Sequence, residues 1–264
     1  MSTLKKIVES KVKEIERTKE ILPLKDLKKL VDVLNYEHRN FAHALSNGDG
    51  IKIIAEIKKF SPSSGNLSVD GFEPVEIAKQ YEKAGASAIS VLTDFEFFGG
   101  KKQHLSQVKN SVKIPVLRKD FIIDEYQIYE AKYIGADAIL LIVRLIDDVQ
   151  LEDYLSIAGE IGLEVLVEVF DRHDIARALK VSPYPKIIGV NNRDLETLEV
   201  DISRSIEFSS LFPPDVIKVS ESGIKDKNDV LKLIDAGFNA ILVGESLMRS
   251  NDKVGKIFEL LGKN

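Results

Sequence analysis

Two opposite charges, Glu56 and Lys58, stand two residues apart in the apolar segment IKIIAEIKKFSPSSG, which covers residues 51–65. Residues two apart on a β-strand point to the same face, so both charged side chains are predicted to share one face while neighbouring isoleucines pack on the other. Charges in such an apolar strand need a partner or a ligand. A structural ion pair and a binding site both fit this segment, and the segment alone leaves the two interpretations open.

Other chemically capable residues follow later apolar runs of the chain. With Glu56 and Lys58 they form a set of lysines, carboxylates and polar groups that also includes Lys119, Glu168, Asn191 and Arg193. In a partly desolvated site the pKa values of such groups shift, so that one can donate and another accept a proton near neutral pH. The set predicts proton transfer on an anionic small molecule, with a Schiff-base lysine at Lys119 or Lys58 as the competing chemistry.

Two glycine-containing turns near the C-terminus, Ser222-Gly223 and Gly244-Glu245-Ser246, suggest where an anion binds. Glycine lets backbone N–H groups approach a phosphate closely, and a following helix adds its dipole. Ser61 is expected to add a hydroxyl from the first loop. Two turns without a ligand remain the simpler alternative.

The elements that carry these residues alternate regularly from residue 51 onward. Eight short apolar runs appear, at Ile53–Ile57, Ala88–Leu92, Ile114–Leu117, Ala138–Val143, Val165–Val169, Ile187–Val190, Val216–Val219 and Ala240–Val243. Segments with helical spacing, such as Val75–Ala84 and Tyr126–Ile134, lie between them. Such alternation predicts βαβ units and a parallel sheet.

An internal repeat supports eight stacked units. Ala84–Ile89, Ile134–Ile139 and Ala236–Ile241 each place a glycine at the end of a helix and begin a strand within three residues. The predicted fold is therefore a (β/α)8 TIM barrel, in which active sites lie at the C-terminal ends of the strands and phosphate commonly binds after the seventh and eighth. The polar residues above would converge there, which is the main indication of an enzyme.

Residues 1–47 are predicted to form an N-terminal helical extension packed on the barrel, so that residues 1–264 make one domain. The net charge of −5 gives no electrostatic footprint for nucleic acid. No apolar run approaches the length of about 18 residues of a membrane helix, and no signal-peptide segment is recognisable. The chain has no cysteine, which excludes disulfides and thiolate chemistry. A cytoplasmic protein, monomeric or homodimeric, is expected.

With these residues in view, the chain resembles the indole-3-glycerol-phosphate synthase family. The matching segments follow one another through the barrel: Ile54–Gly65, Ile89–Thr93, Phe97–Gly100, Pro115–Asp124, Gly135–Ile142, Leu166–Val169, Ile188–Leu195, Val219–Ile224 and Ile241–Met248. The resemblance implies ring closure of 1-(2-carboxyphenylamino)-1-deoxyribulose 5-phosphate, with loss of CO2 and water, to indole-3-glycerol phosphate. It implies a phosphorylated small-molecule substrate and neither a metal nor an organic cofactor.

The resemblance also implies roles for individual residues. Lys119 matches the general acid and Glu168 the other catalytic acid/base. Lys58 matches a residue that contacts the substrate carboxylate, and its share in proton delivery stays open. The remaining matches are Glu56 and Asn191 for orientation, Arg193 and Ser222 for substrate binding, Phe98 and Phe121 for apolar walls, and Ser61, Gly223, Gly244 and Glu245 for the phosphate end.

Three departures from the family pattern are expected to affect affinity and loop motion rather than the reaction: Phe60, Asp94 and the loop continuation Lys101–His104. Phosphoribosylanthranilate isomerase is disfavoured because its family uses a cysteine base. The tryptophan synthase α subunit lacks the first-strand Glu-x-Lys pattern and the third-strand lysine. A catalytically silent phosphate-binding barrel acting as a pathway scaffold is the non-enzyme alternative.

Overall fold

The computed structural model describes residues 3–34, 37–63, 65–67, 71–194 and 197–263. Eight parallel strands form a closed barrel in which each strand pairs with the next along the chain and the last pairs with the first. The strands are Lys52–Ile57 (β1), Ala88–Leu92 (β2), Val116–Lys119 (β3), Ala138–Ile142 (β4), Glu164–Val169 (β5), Ile187–Asn191 (β6), Ile217–Glu221 (β7) and Ala240–Val243 (β8). The predicted (β/α)8 TIM barrel is confirmed.

Helices surround this barrel and precede it. In the described part of the chain, three come before β1: Thr3–Ile21 (α1), Leu24–Asp32 (α2) and Phe41–Ser46 (α3). The others follow the strands in turn: Pro74–Lys83 (α4), Lys102–Lys109 (α5), Glu125–Tyr133 (α6), Asp148–Glu160 (α7), Arg172–Ala178 (α8), Ser203–Phe208 (α9), Lys227–Asp235 (α10), Glu245–Arg249 (α11) and Lys253–Leu261 (α12). Single 3-10 turns occupy Val143–Leu145 and Ser209–Leu211.

The repeated glycine turn has the backbone conformation that its sequence predicts. Gly85, Gly135 and Gly237 have φ values of +93°, +93° and +77°, in the left-handed region that residues with a side chain rarely adopt. Each ends a helix and returns the chain to the start of the next strand. The strands that follow are buried throughout, because helices cover one face and the barrel interior the other.

The N-terminal helices pack on both ends of the barrel. At the N-terminal end of the strands, Phe41 and Leu45 of α3 join the apolar side chains of the barrel interior. Glu164, the first residue of β5, accepts hydrogen bonds from the backbone N–H groups of Phe41 and Ala42 and so caps α3. At the opposite end, Ile7 of α1 packs on the same interior cluster.

Some local features differ from the sequence-based expectation. Lys101–His104 was expected to continue a loop, whereas α5 begins at Lys102. A small antiparallel hairpin, Phe60–Ser61 with Gly65–Asn66, follows β1 and was not anticipated. Residues 35 and 36 of the predicted helical extension lie outside the described residues. Within the described part of the chain, no helix has both the length and the apolar character needed to cross a bilayer.

Candidate active site

A cavity of about 440 Å³ opens at the C-terminal ends of the barrel strands. All the residues that the sequence assigns to the site line it: Glu56, Lys58, Ser61, Phe98, Lys119, Phe121, Glu168, Asn191, Arg193, Ser222, Gly223, Gly244 and Glu245. They come from loops and strand ends that are far apart in sequence, and closure of the barrel brings them together. The geometric part of the sequence prediction, their convergence, is therefore observed.

A lysine at the end of β3 occupies the centre of the polar side of the cavity. Lys119 Nζ lies 3.2 Å from Glu168 Oε2 and 3.8 Å from Glu221 Oε2. Burial alone would lower the pKa of Lys119, but the negative charges of Glu168, Glu221 and Glu56 outweigh this effect and raise it above the ordinary value. Lys119 is consequently an ammonium, and a proton donor, at neutral pH.

Glu221, at the end of β7, is a site residue that sequence reasoning left out of its catalytic set. Its side chain is buried, and neither carboxylate oxygen has a hydrogen-bond partner among the described residues. Burial and the neighbouring charge of Glu168 raise its pKa well above the ordinary value. Space for it exists because β6 carries Gly189, where a Cβ atom would overlap the Glu221 carboxylate. Its position at the end of a predicted strand is the sequence feature that could have identified Glu221 as a site residue.

Glu56 and Lys58 form the ion pair that their spacing allows, and they form it inside the cavity. Lys58 Nζ lies 2.6 Å from Glu56 Oε1. Burial alone would raise the pKa of Glu56, but the positive charges of Lys58 and Lys119 outweigh burial and lower it. The structural ion pair and the binding site that the sequence left open are therefore compatible, because this ion pair also forms a charged wall of the cavity.

Asn191, the last residue of β6, links the Glu168 carboxylate to the loop that follows β6. Its Nδ2 donates to Glu168 Oε1 over 3.1 Å, and its Oδ1 accepts from the backbone N–H of Arg193 over 2.9 Å. Both polar atoms of the amide are thus engaged within the protein, which fixes the orientation of the Glu168 carboxylate opposite Lys119.

The turns after β7 and β8 border the other side of the cavity. Ser222 has a φ of +69°, a strained conformation for a residue with a side chain. Gly244 lies so close to Glu56 that a Cβ atom would overlap its carboxylate. The Glu245 carboxylate lies 3.4 Å from Arg193 Nη2 and 3.1 Å from Arg249 Nε. Small residues and cations thus surround this part of the cavity.

Apolar side chains line the remaining wall. The rings of Phe98 and Phe121 have centroids 5.9 Å apart. Beside them are Leu140 and Ile142 of β4 and, from the N-terminal helix α1, Leu4 and Ile7. The contribution of α1 was not anticipated from the sequence, because its amphipathic pattern does not reveal which surface it covers. The cavity thus has a charged side and an apolar wall.

The departures noted in the sequence lie outside this cavity. Phe60, 39% exposed, belongs to the hairpin after β1. His104 sits edge-on against Phe72 at the start of α5. Asp94 is buried in an ion-pair network with Lys11 behind the cavity wall. None of the three is among the described residues that line the cavity.

Comparison with known proteins identifies the family. Residues 4–260 match the family model described as indole-3-glycerol phosphate synthase. The chain belongs to the indole-3-glycerol phosphate synthase family. The indole-3-glycerol phosphate synthase of Chlorobium phaeovibrioides is 49% identical over 253 residues, which cover 96% of each chain. That of Caldanaerobacter subterraneus is 46% identical over 260 residues, or 98% of each chain.

Solved structures that resemble this member of the indole-3-glycerol phosphate synthase family include more distant barrels. The 3-hexulose-6-phosphate synthase of Salmonella typhimurium superimposes with a TM-score of 0.66, over 80% of this chain and 97% of that one, at 16% sequence identity. At this identity the likeness supports the barrel fold alone.

Proposed function

We propose that the chain catalyses ring closure of 1-(2-carboxyphenylamino)-1-deoxyribulose 5-phosphate to indole-3-glycerol phosphate, with release of CO2 and water, as a carboxy-lyase of tryptophan biosynthesis. The observation that carries the proposal is the Lys119 ammonium facing Glu168 in a cavity that also has an apolar wall and an end bordered by Arg193 and Arg249. Membership of the indole-3-glycerol phosphate synthase family supports it.

In this proposal Lys119 is the general acid of the ring closure. Attack of the aromatic ring on the substrate ketone develops negative charge on the carbonyl oxygen, and this alkoxide needs a proton. Lys119 carries that proton because the surrounding carboxylates keep its pKa high. The same carboxylates disfavour the neutral amine that a Schiff base requires, so that acid catalysis suits the site better than covalent catalysis.

Glu168 and Glu221 provide the second acid/base function. Two carboxyl groups close together in a buried site disfavour simultaneous ionisation. The raised pKa of Glu221 makes it the group that keeps the proton. We assign Glu168 to accept a proton and assist the dehydration, and Glu221 to supply or store the proton that this exchange needs.

Lys58 is assigned to the substrate carboxylate that leaves as CO2. A cation can hold this carboxylate out of the plane of the aromatic ring, which favours decarboxylation. Glu56 and Asn191 orient the network, since Glu56 pairs with Lys58 and Asn191 holds Glu168. Lys58 remains a second candidate for proton delivery.

The turns after β7 and β8 are assigned to the phosphate, with Gly223, Gly244 and the backbone N–H of Glu245 as donors and Ser61 and Ser222 beside them. The Glu245 side chain is itself anionic and pairs with Arg193 and Arg249, so we exclude its carboxylate from that role. Arg193 supplies positive charge to the bound substrate. Phe98 and Phe121 are assigned to the anthranilate ring, which suits an apolar wall that carries two aromatic side chains in contact with each other.

We further propose one domain over residues 1–264, with 1–47 as the packed extension. The support is the burial of Phe41, Leu45 and Ile7 against the barrel interior. A cytoplasmic location and a monomeric or homodimeric state are part of the same proposal.

The test is to mix the purified protein with the substrate and follow the indole fluorescence of the product, with CO2 release measured in parallel. Stoichiometric appearance of both products is expected, without added metal or cofactor. Tight substrate binding without product would instead support the silent scaffold barrel, and failure to bind would contradict both functions.

A further inference from the structure

A buried ion-pair network joins helix α1 to two strand ends beside the cavity. At its centre is Lys11, whose side chain is 1% exposed. Its Nζ lies 2.7 Å from Glu14 Oε2 and 3.0 Å from both Asp94 Oδ2 and Asp120 Oδ1. One cation of the N-terminal extension thus contacts two carboxylates that belong to the barrel.

Asp120, one of these two carboxylates, is the residue next to Lys119 and is itself held in place by several hydrogen bonds. Asp120 Oδ2 accepts hydrogen bonds from Thr93 Oγ1 at 2.5 Å and Arg118 Nη2 at 3.0 Å, and its Oδ1 accepts from the backbone N–H of Phe121 at 2.9 Å. The Lys11 ammonium is a further partner of the Asp120 carboxylate. Since Asp120 directly follows Lys119, its position sets the backbone from which the Lys119 side chain extends.

Asp94, the other of the two carboxylates, fixes the loop that carries Phe98. Asp94 Oδ1 accepts from the backbone N–H of Phe97 at 2.9 Å, while its carbonyl oxygen accepts from the N–H of Gly100 at 2.7 Å. The other carboxylate oxygen of Asp94, Oδ2, contacts Lys11 Nζ. The turn that presents Phe98 to the cavity is therefore held at both ends by Asp94.

The same helix also lines the cavity. Ile7 lies four residues before Lys11 and Leu4 three residues before Ile7, so the three side chains share one face of α1. Leu4 and Ile7 are part of the apolar wall. The Lys11 contacts consequently hold that wall in register with the strand ends.

We propose that Lys11 is a positioning residue of the active site, which sets Lys119 through Asp120 and Phe98 through Asp94. The inference rests on the proposed function, because it assigns Lys11 an effect on that reaction. Lys11 is not among the described residues that line the cavity, and it acts on the site through its contacts with the two aspartates.

The alternative is that Lys11 merely balances buried charge. Around it stand Glu14, Asp94 and Asp120, and beyond Asp120 the network continues through Arg118, Glu130 and Lys102. Removing one cation from such a network leaves carboxylates buried without full compensation, which costs stability whatever the role in catalysis. A test must therefore separate charge balance from positioning.

The K11M/D94N double variant makes this separation. It removes one positive and one negative charge together, and the asparagine Oδ1 can still accept from the Phe97 N–H. Positioning by Lys11 predicts a melting temperature near that of the wild type but a kcat lower by about 10-fold to 100-fold, as expected for a small displacement of a catalytic group. K11M alone should lose both stability and kcat, and K13M, which alters an exposed lysine of the same helix, should lose neither.

A second measurement does not depend on the reaction. Hydrogen exchange of the amides over residues 93–100 and 119–123 should be faster in the double variant than in the wild type and in K13M. Wild-type kcat together with unchanged exchange in K11M/D94N would overturn the inference, and the double variant gives this answer even if K11M fails to fold. A wild-type protein without activity would contradict the proposed function, whereas the exchange result would still report on the positioning.

Discussion

The Nζ atom of Lys119 and the Oε2 atom of Glu168 lie 3.2 Å apart, although the two residues belong to different strands, β3 and β5. The other oxygen of Glu168 accepts from Asn191 at the end of β6. A cation, a carboxylate and an amide from three strands therefore form one fixed unit. Because the barrel holds these partners before substrate arrives, little reorganisation is needed at the reacting carbon.

Replacement of Glu168 by glutamine should disable the second acid/base function. The amide keeps the shape of the side chain but cannot accept a proton, so turnover should fall by about 100-fold to 10,000-fold while the affinity for inorganic phosphate is retained. Steady-state fluorescence assays and calorimetry with phosphate measure the two quantities. E160Q, at an exposed position of α7, is the control, and near-normal turnover in E168Q would refute the role.

E221Q should alter the pH dependence of stability. The pKa of Glu221 is raised in the folded protein by burial and by Glu168, so the group's contribution to stability is full below its ordinary pKa and declines as the pH rises towards the folded value. Glutamine removes this decline. Relative to the wild type, E221Q should therefore melt at a similar temperature near about pH 4 and at a higher one near about pH 8. A constant difference across this range would contradict the raised pKa.

Arg118 should contribute strongly to the free energy of unfolding. Its guanidinium is fully buried and contacts both Asp120 and Glu130. R118M leaves these carboxylates short of a cation and should cost about 3–5 kcal/mol. R172M removes an arginine paired with Glu207 at the surface and should cost about 0–1 kcal/mol. Urea denaturation of both variants checks the contrast, and equal losses would argue against the buried network.

Replacement of Ser222 by glycine should increase stability at the expense of substrate binding. Its φ of +69° is unfavourable for serine and ordinary for glycine. S222G should stabilise the protein by about 1 kcal/mol through relief of this strain. If the hydroxyl contacts substrate, KM should rise by about 3-fold to 10-fold, the value of one hydrogen bond. Thermal melts and KM values measure the two effects, and a less stable S222G would show that the conformation carries no strain.

The parts of the fold that depend on local sequence pattern could be predicted from the sequence. Strand and helix alternation predicted the barrel, and the glycine turns were found with left-handed φ at Gly85, Gly135 and Gly237. Strand-end position then predicted which polar residues share the cavity, because parallel strands in a closed barrel must end together.

The parts that were missed depend on contacts between distant segments. The partners of Lys11 lie in two different strand ends, and no periodicity in α1 indicates them. Glu221 was visible as a strand-end carboxylate, but its exceptional environment comes from Glu168 across the barrel and from the space left at Gly189. Long-range electrostatics of this kind follow from the fold and cannot be derived from local spacing.

The most direct test of the central claim is the turnover of K119A, measured with saturating 1-(2-carboxyphenylamino)-1-deoxyribulose 5-phosphate beside the wild type. If the Lys119 ammonium is the general acid, indole-3-glycerol phosphate formation should slow by about 100-fold to 10,000-fold while substrate still binds. A K119A protein that forms product at close to the wild-type rate would contradict the account and move the acid to Lys58.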